Sequence, residues 1–150
     1  MANKQYQTGA IKIDRTGEAT VYIKQLTVDL QRKTIKKALR LAAQNVAQKA
    51  KISAPVHSGK LRDSLKGEVT NNKQSNHQWA GYVSGAPHTH LVEAGWWHQP
   101  TKPQRAAFGS NWKNWIEGQR FLADEFKTSR GDSHRIIVDT LKKAAKRVKA

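Results

Sequence analysis

Between residues 27 and 53 the apolar side chains recur at three- and four-residue steps: Leu30 or Thr34, then Ile35, Leu39, Ala42, Val46 and Ala50. That spacing lays one stripe down the side of a long helix. Thr27 suits its N-cap, and Asp29 stands near the positive end of its dipole. Arg32, Lys33, Lys36, Lys37, Arg40, Lys49 and Lys51 fall on the other side. The helix has to stop at residues 53–55, because Pro55 cannot continue it and biases Ala54 away from the α region. Gly59 then supplies the backbone freedom of a sharp turn. A one-sided helix of this length needs a layer to cover its stripe, and that need constrains everything downstream.

The covering layer reads as β structure. Residues 66–70 and 79–84 predict two strands, with Tyr82 and Val83 as good strand formers, separated by a stretch (71–78) that holds no apolar residue. Gly85, Ala86 and Pro87 break the chain, and residues 90–95 predict a third strand, completing a small antiparallel meander. Residues 96–119 show no period and read as a long loop rich in Pro, Gly, Asn and Trp. Its aromatics, Trp96, Trp97, Phe108, Trp112 and Trp115, are costly to leave in water, so they are expected to dock on a neighbouring subunit or on the domain itself. A further helix opens at residues 120–126 and is interrupted at Ser129, Arg130 and Gly131. Asp132 or Ser133 is then placed to cap a last helix whose stripe is Ile137, Leu141, Ala144 or Ala145, and Val148. Lys142, Lys143, Lys146, Arg147 and Lys149 form its basic side, complementing the negative helix end.

The expected fold class is therefore α+β: a long N-terminal helix packed on a small antiparallel meander, then a long loop and a C-terminal helix. Residues 27–150 make a single domain. Residues 1–26 are an arm or a hairpin, with Ile11, Ile13, Val21 and Ile23 in weak alternation around a turn at residues 14–17.

Charge is the strongest compositional signal. In 150 residues, 27 Lys and Arg stand against 11 Asp and Glu, a formal net charge of +16, with 37% hydrophobic residues and a mean hydropathy of −0.75. Such a chain favours a polyanionic neighbour: nucleic acid, an acidic protein face or a membrane surface. No apolar run spans a bilayer, and residues 1–9 lack the apolar core of a signal peptide, so a soluble protein kept in a cytoplasm is expected, with no membrane partner. The absence of cysteine excludes disulfides, thiolate catalysis and cysteine-ligated zinc.

A search for chemistry finds little. There is no glycine-rich phosphate loop. His57, Ser58 and Asp63 hold triad residue types, but adjacency in sequence is not a triad in space. His88 and His90 would share one face of a strand and chelate a metal, yet Glu93 would point to the opposite face and spoil a common shell. They read instead as polar residues on an exposed strand or at a subunit contact, with no cofactor expected. The basic helix sides carry no base-reading signature, so a contact of Lys36, Lys37, Arg40, Lys142, Lys143 or Lys146 with DNA would be to the backbone only; an acidic protein partner is the other reading.

Residues 54–64, Ala-Pro-Val-His-Ser-Gly-Lys-Leu-Arg-Asp-Ser, resemble the A-P-x-x-T/S-G-x-L-R-x-S signature of the gene-product-ten-like family of tailed-bacteriophage proteins. Pro55, Gly59, Leu61, Arg62 and Ser64 are the matching positions. Residues 90–95, with Glu93 and Gly95, are similar to that family's V-E-x-G segment, and Phe121 and Leu122 to the P-F-L that opens its C-terminal helix. Three motifs in order, over residues 27–149, make the likeness fairly specific. The chain departs from the pattern in the length of residues 97–119, in Arg120 where the family often has Pro, and in the break at residues 129–131.

The resemblance implies no enzyme. It implies a structural virion subunit of the head–tail interface, a neck or tail-completion protein assembled in the host cytoplasm into a closed ring, a hexamer. Its implied partners are further copies of itself, other neck, portal-adaptor or tail-tube proteins, and DNA passing non-specifically through the lumen. The alternative is a small basic protein that binds nucleic acid without sequence preference. Arg62 and Glu93, the charged members of two motifs, are expected to pair across the helix–sheet junction.

Overall fold

The computed structural model describes residues 18–72, 78–109 and 113–149. In chain order the elements are α1 (Glu18–Ile23), α2 (Val28–Ser53), α3 (Lys60–Ser64), β1 (Lys66–Asn72), β2 (Gln78–Ser84), α4 (Thr89–Ala94), β3 (Gly95–His98), α5 (Lys102–Phe108), β4 (Asn114–Glu117), α6 (Phe121–Thr128) and α7 (Arg130–Lys149). The α+β class holds. The strands form two separate antiparallel hairpins, β1–β2 and β3–β4.

Helix α2 is the spine. Thr34, Ala38, Leu39, Ala42, Ala43, Val46, Ala47 and Ala50 are buried along it. The apolar face is wider than one stripe because α2 is covered on two sides, by the β1–β2 hairpin and by α7. Small residues suit both contacts. On the sheet side the fit is closest at Gly67 and Gly81. A Cβ on Gly67 would overlap the Gln44 backbone nitrogen and the Ala43 carbonyl carbon, and one on Gly81 would sit 2.8 Å from the Leu39 carbonyl oxygen. On the other side Ile137, Val138, Leu141 and Ala145 of α7 enter the common core with Leu61, Leu65, Val83, Phe121 and Leu122. Fully burying an aliphatic side chain of this size stabilises by about 1.5–3 kcal/mol, so this cluster holds the layers together.

Thr27 does occupy the N-cap position of α2, in an extended conformation, but its hydroxyl makes no capping bond. At the other end Ala54 is extended and its N–H still donates to Ala50 O at 2.8 Å, which is the stop that Pro55 imposes. Gly59 takes φ = 77°, a left-handed conformation that gives α3 its entry.

The structure departs from the sequence reading in several places. The stretch with Val21 and Ile23 is the helix α1, not a strand. Ala19, Tyr22, Ile23 and Leu26 follow helical spacing and pack against the core beside α7. The rest of the expected hairpin, including Ile11, Ile13 and the turn at 14–17, lies outside the described residues.

Residues 90–95 are not a third strand. Thr89 and Glu93 are both buried at i, i+4 spacing on α4, while Leu91 between them, which a strand would turn to the same face, is only partly buried. The unbroken loop expected at 96–119 instead contains β3, α5 and β4. Finally, α7 begins at Arg130, so Asp132 and Ser133 lie inside it and do not cap it. Ser129 makes the bend from α6 and is fully buried.

Candidate assembly interface

The motif residues prove to be ties between neighbouring segments. Leu61 is buried in the core and holds α3 down. Ser64 Oγ donates to Leu61 O at 2.6 Å and accepts the Ala86 N–H at 2.8 Å, so the first motif is pinned to the turn before α4. Thr89 Oγ1 donates to Ala86 O at 2.6 Å from the other side of that turn.

Glu93 links the second motif to the third. Its carboxylate accepts the Leu122 N–H at 3.0 Å and the Ala123 N–H at 2.8 Å, satisfying two orphan donors at the start of α6. The backbone follows, with Gln119 N donating to Val92 O and Arg120 N to Glu93 O. Phe121 and Leu122, thus positioned, are buried.

The expected Arg62–Glu93 pair is not formed. Arg62 Nε donates to Asp63 Oδ1 at 3.0 Å on the exposed side of α3, while Glu93 is turned inward and satisfied by backbone. Helix α4 presents Glu93 to α6. Arg120 takes φ = 50°, a conformation the proline ring forbids, so the chain enters α6 by a different backbone path from a Pro-Phe-Leu sequence.

These ties also hold up the β3–β4 hairpin. Gly95 takes φ = 89°, and an added Cβ there would lie 2.5 Å from Ile116 O. Trp96 pairs with Ile116, and Trp97 with Trp115. Because side chains alternate across a strand, these two pairs face opposite ways.

Trp96 and Ile116 line a groove of about 370 Å³ together with Pro55, His57, Leu61 and Val92. Trp97 and Trp115 stand on the outer side, edge to face, with ring centroids 5.3 Å apart, and are 58% and 41% exposed. Trp115 Nε1 donates to Glu117 Oε2 at 3.3 Å. Phe108, on α5, is also largely exposed, and α5 buries none of its residues. Of the five predicted interface aromatics, four thus gather on or beside one hairpin, with Trp96 turned inward. Trp112 lies outside the described residues.

The predicted cations divide. Lys36 is not spread in solvent, since its ammonium sits 4.7 Å from the centroid of the Trp79 ring, a cation–π contact. Lys37, Arg40, Lys142, Lys143 and Lys146 belong to the outer faces of α2 and α7, and all five are exposed there. Among the described residues only Lys49, Arg62 and Arg135 pair with a carboxylate. Lys49 bonds Asp132, holding its carboxyl below the usual carboxylate range by hydrogen bond and charge, with Arg135 adding to the effect.

His88 stands at the start of α4 and His90 within it, so two residues apart they point to different sides. No group of three metal-ligating side chains forms among the described residues.

Sequence reasoning missed Trp79, Gly67, Gly81 and the Lys49–Asp132 tie, none of which has a local signal. It also missed α5, which did have one. Thr101 and Gln104 make a capping box, the Thr101 N–H donating to Gln104 Oε1 at 2.9 Å, with Pro in the first turn.

A family model described as "Bacteriophage HK97-gp10, putative tail-component" matches residues 18–95, just over half of the chain. The chain belongs to the HK97-gp10-like family. It is accordingly a tail-associated structural protein of a bacteriophage. The HK97-gp10-like match takes in α1 through α4 and the first two motifs, and ends at Gly95, where the tryptophan hairpin begins. No curated protein and no solved structure matches the chain. No helix among the described residues is long and apolar enough to cross a membrane.

Proposed function

We propose that this protein is a non-catalytic ring subunit of the head–tail interface, a neck or tail-completion component that closes as a hexamer around the path of the DNA. The observation that carries the reading is the outward Trp97–Trp115 face of the β3–β4 hairpin. Two large indoles packed together and exposed on one face of a strongly basic protein favour an interaction surface, since contiguous exposed aromatic area is a common mark of one. In a ring the cover is the neighbouring subunit, and contacts of that kind close by rotation. Pro55, Gly59, Leu61, Ser64, Glu93 and Gly95 serve as the frame that fixes the hairpin. Assembly takes place in the host cytoplasm and the finished ring stays in the virion, against tail-tube or portal-adaptor proteins.

Light scattering and native mass spectrometry across concentration test the ring, with negative-stain images for its shape. A discrete multimer that is lost in Trp97→Ser/Trp115→Ser is expected. A strict monomer that also fails to bind tail tubes refutes the reading.

The exposed cations of α2 and α7 favour weak, sequence-independent contact with phosphate, as a lumen wall or as the basis of the alternative, a plain nucleic-acid-binding protein. A mobility shift at two salt concentrations separates protein contact from DNA contact. Replacing Lys142, Lys143 and Lys146 with Gln is expected to flatten the log–log salt slope by about 0.9 for each phosphate that is no longer neutralised. DNA binding unchanged by the triple substitution removes α7 from any DNA contact.

A further inference from the structure

Helix α2 spans about 38 Å at 1.5 Å per residue, and the two ends of the protein beside it are apolar in different ways. At its C-terminal end stands the aromatic hairpin. Its N-terminal end is reached by α1 and by the last turn of α7. The Lys49–Asp132 tie starts α7 beside the end of α2, and α7 then runs back along it to contact α1. There Val21 is 58% exposed and Val28 65%, with Leu30 and Val148 also in solvent. Cations surround this aliphatic patch in sequence and on the helix surfaces: Arg32, Lys33, Arg147 and Lys149 are exposed beside it.

We infer that these two ends are the halves of one heterologous interface, in which the Trp97–Trp115 face of one copy docks on the Val21–Val28–Val148 patch of the next. The inference rests on the ring reading above and names the surface that the hairpin grips. Three observations favour unlike ends over like ends. Indole faces attract ammonium and guanidinium groups, and this chain already makes that contact internally between Lys36 and Trp79. Glu117, beside Trp115, brings a carboxylate to the basic rim. Pairing two aliphatic ends would leave the indoles uncovered, and pairing two aromatic ends would leave the aliphatic patch uncovered. Unlike ends that meet produce a chain of copies, which closes if the rotation allows.

The chain has no cysteine, so introduced thiols are the only ones present. Thr27→Cys marks the basic end and Asn114→Cys the hairpin, both exposed positions that leave the patch and the tryptophans intact. The two lie roughly the length of α2 apart, far beyond the reach of one disulfide or a short thiol crosslinker within a copy. The double variant should give a ladder of covalent multimers, an equal mixture of the single variants only dimers, and each single variant alone none. Adding Trp97→Ser or Trp115→Ser should raise the concentration needed for assembly about tenfold or more, the scale of a buried tryptophan anchor. An unchanged thermal midpoint of those variants shows that the fold is intact. Crosslinking of a single variant with itself, at the yield of the mixture, means that like ends meet and overturns the inference. Multimers seen by light scattering without a ladder overturn it and leave the ring standing. A monomer at every concentration, with or without tail tubes, overturns both.

Discussion

Removing the Glu93 carboxylate tests the frame at its tightest point. Glu93 is 3% exposed and accepts two backbone N–H groups at the start of α6, at 3.0 and 2.8 Å. In Glu93→Ala both donors are left without a partner in a site too closed for water to reach freely, and the helix is deprived of a negative group at its positive end. Bonds to a charged acceptor contribute about 1.5–3 kcal/mol each and are not additive at one carboxylate, so the destabilisation is about 3 kcal/mol. For a chain of this size that lowers the thermal midpoint by about 6–12 °C. Glu93→Gln keeps the shape and one acceptor oxygen, and costs about half as much. Arg62→Ala is the control. Its partner Asp63 is 69% exposed at the side chain, and an ion pair of that kind contributes about 0–1 kcal/mol. Urea and thermal unfolding followed by circular dichroism measure all three. A Glu93→Ala variant within about 0.5 kcal/mol of the parent refutes the capping role, and an Arg62→Ala destabilisation as large as that of Glu93→Ala would reinstate an Arg62–Glu93 coupling.

Two more outcomes follow from the sheet. Gly67→Ala should cost more than about 2 kcal/mol, since the clash is with the α2 backbone and no side chain can swing aside; a neutral result in the same unfolding assays contradicts the close approach. Tyr82 is pushed up to about 12, by burial first and then by its 2.8 Å bond to Glu68. Its folded pKa lies above the unfolded value, so its contribution is complete below pH ~10 and is lost as pH rises towards ~12. Tyr82→Phe should remove that alkaline phase from the ultraviolet titration and from the stability profile; its persistence would place the phase on another group.

The sequence speaks clearly wherever a period or a breaker persists. The stripe through Leu39, Ala42, Val46 and Ala50, the stop at Pro55, and the strands either side of a polar loop all appear where the pattern put them. The misreadings have physical causes. Helix α4 is six residues long, too short for its period to stand out, and the contact that its Glu93 makes with α6 joins residues far apart in the chain. Strands β3 and β4 have four residues each, too few for a period, and are defined by each other. Helix α1 turns on packing against α7. The candidate interface was legible only as a set of aromatics without a geometry, since nothing local tells which tryptophan of an alternating pair faces out.

At Gly67 and Gly81 the distance between helix and sheet is set by one main chain resting on another. Side chains rotate and relax, whereas peptide planes do not, so this spacing acts as a fixed gauge. A shape copied around an axis multiplies its own angular error by the number of copies before the last meets the first. In the proposed ring, two glycines that hold the layers at one thickness would therefore serve the accuracy of closure, and a change there would be read most sensitively in whether the circle meets its own beginning.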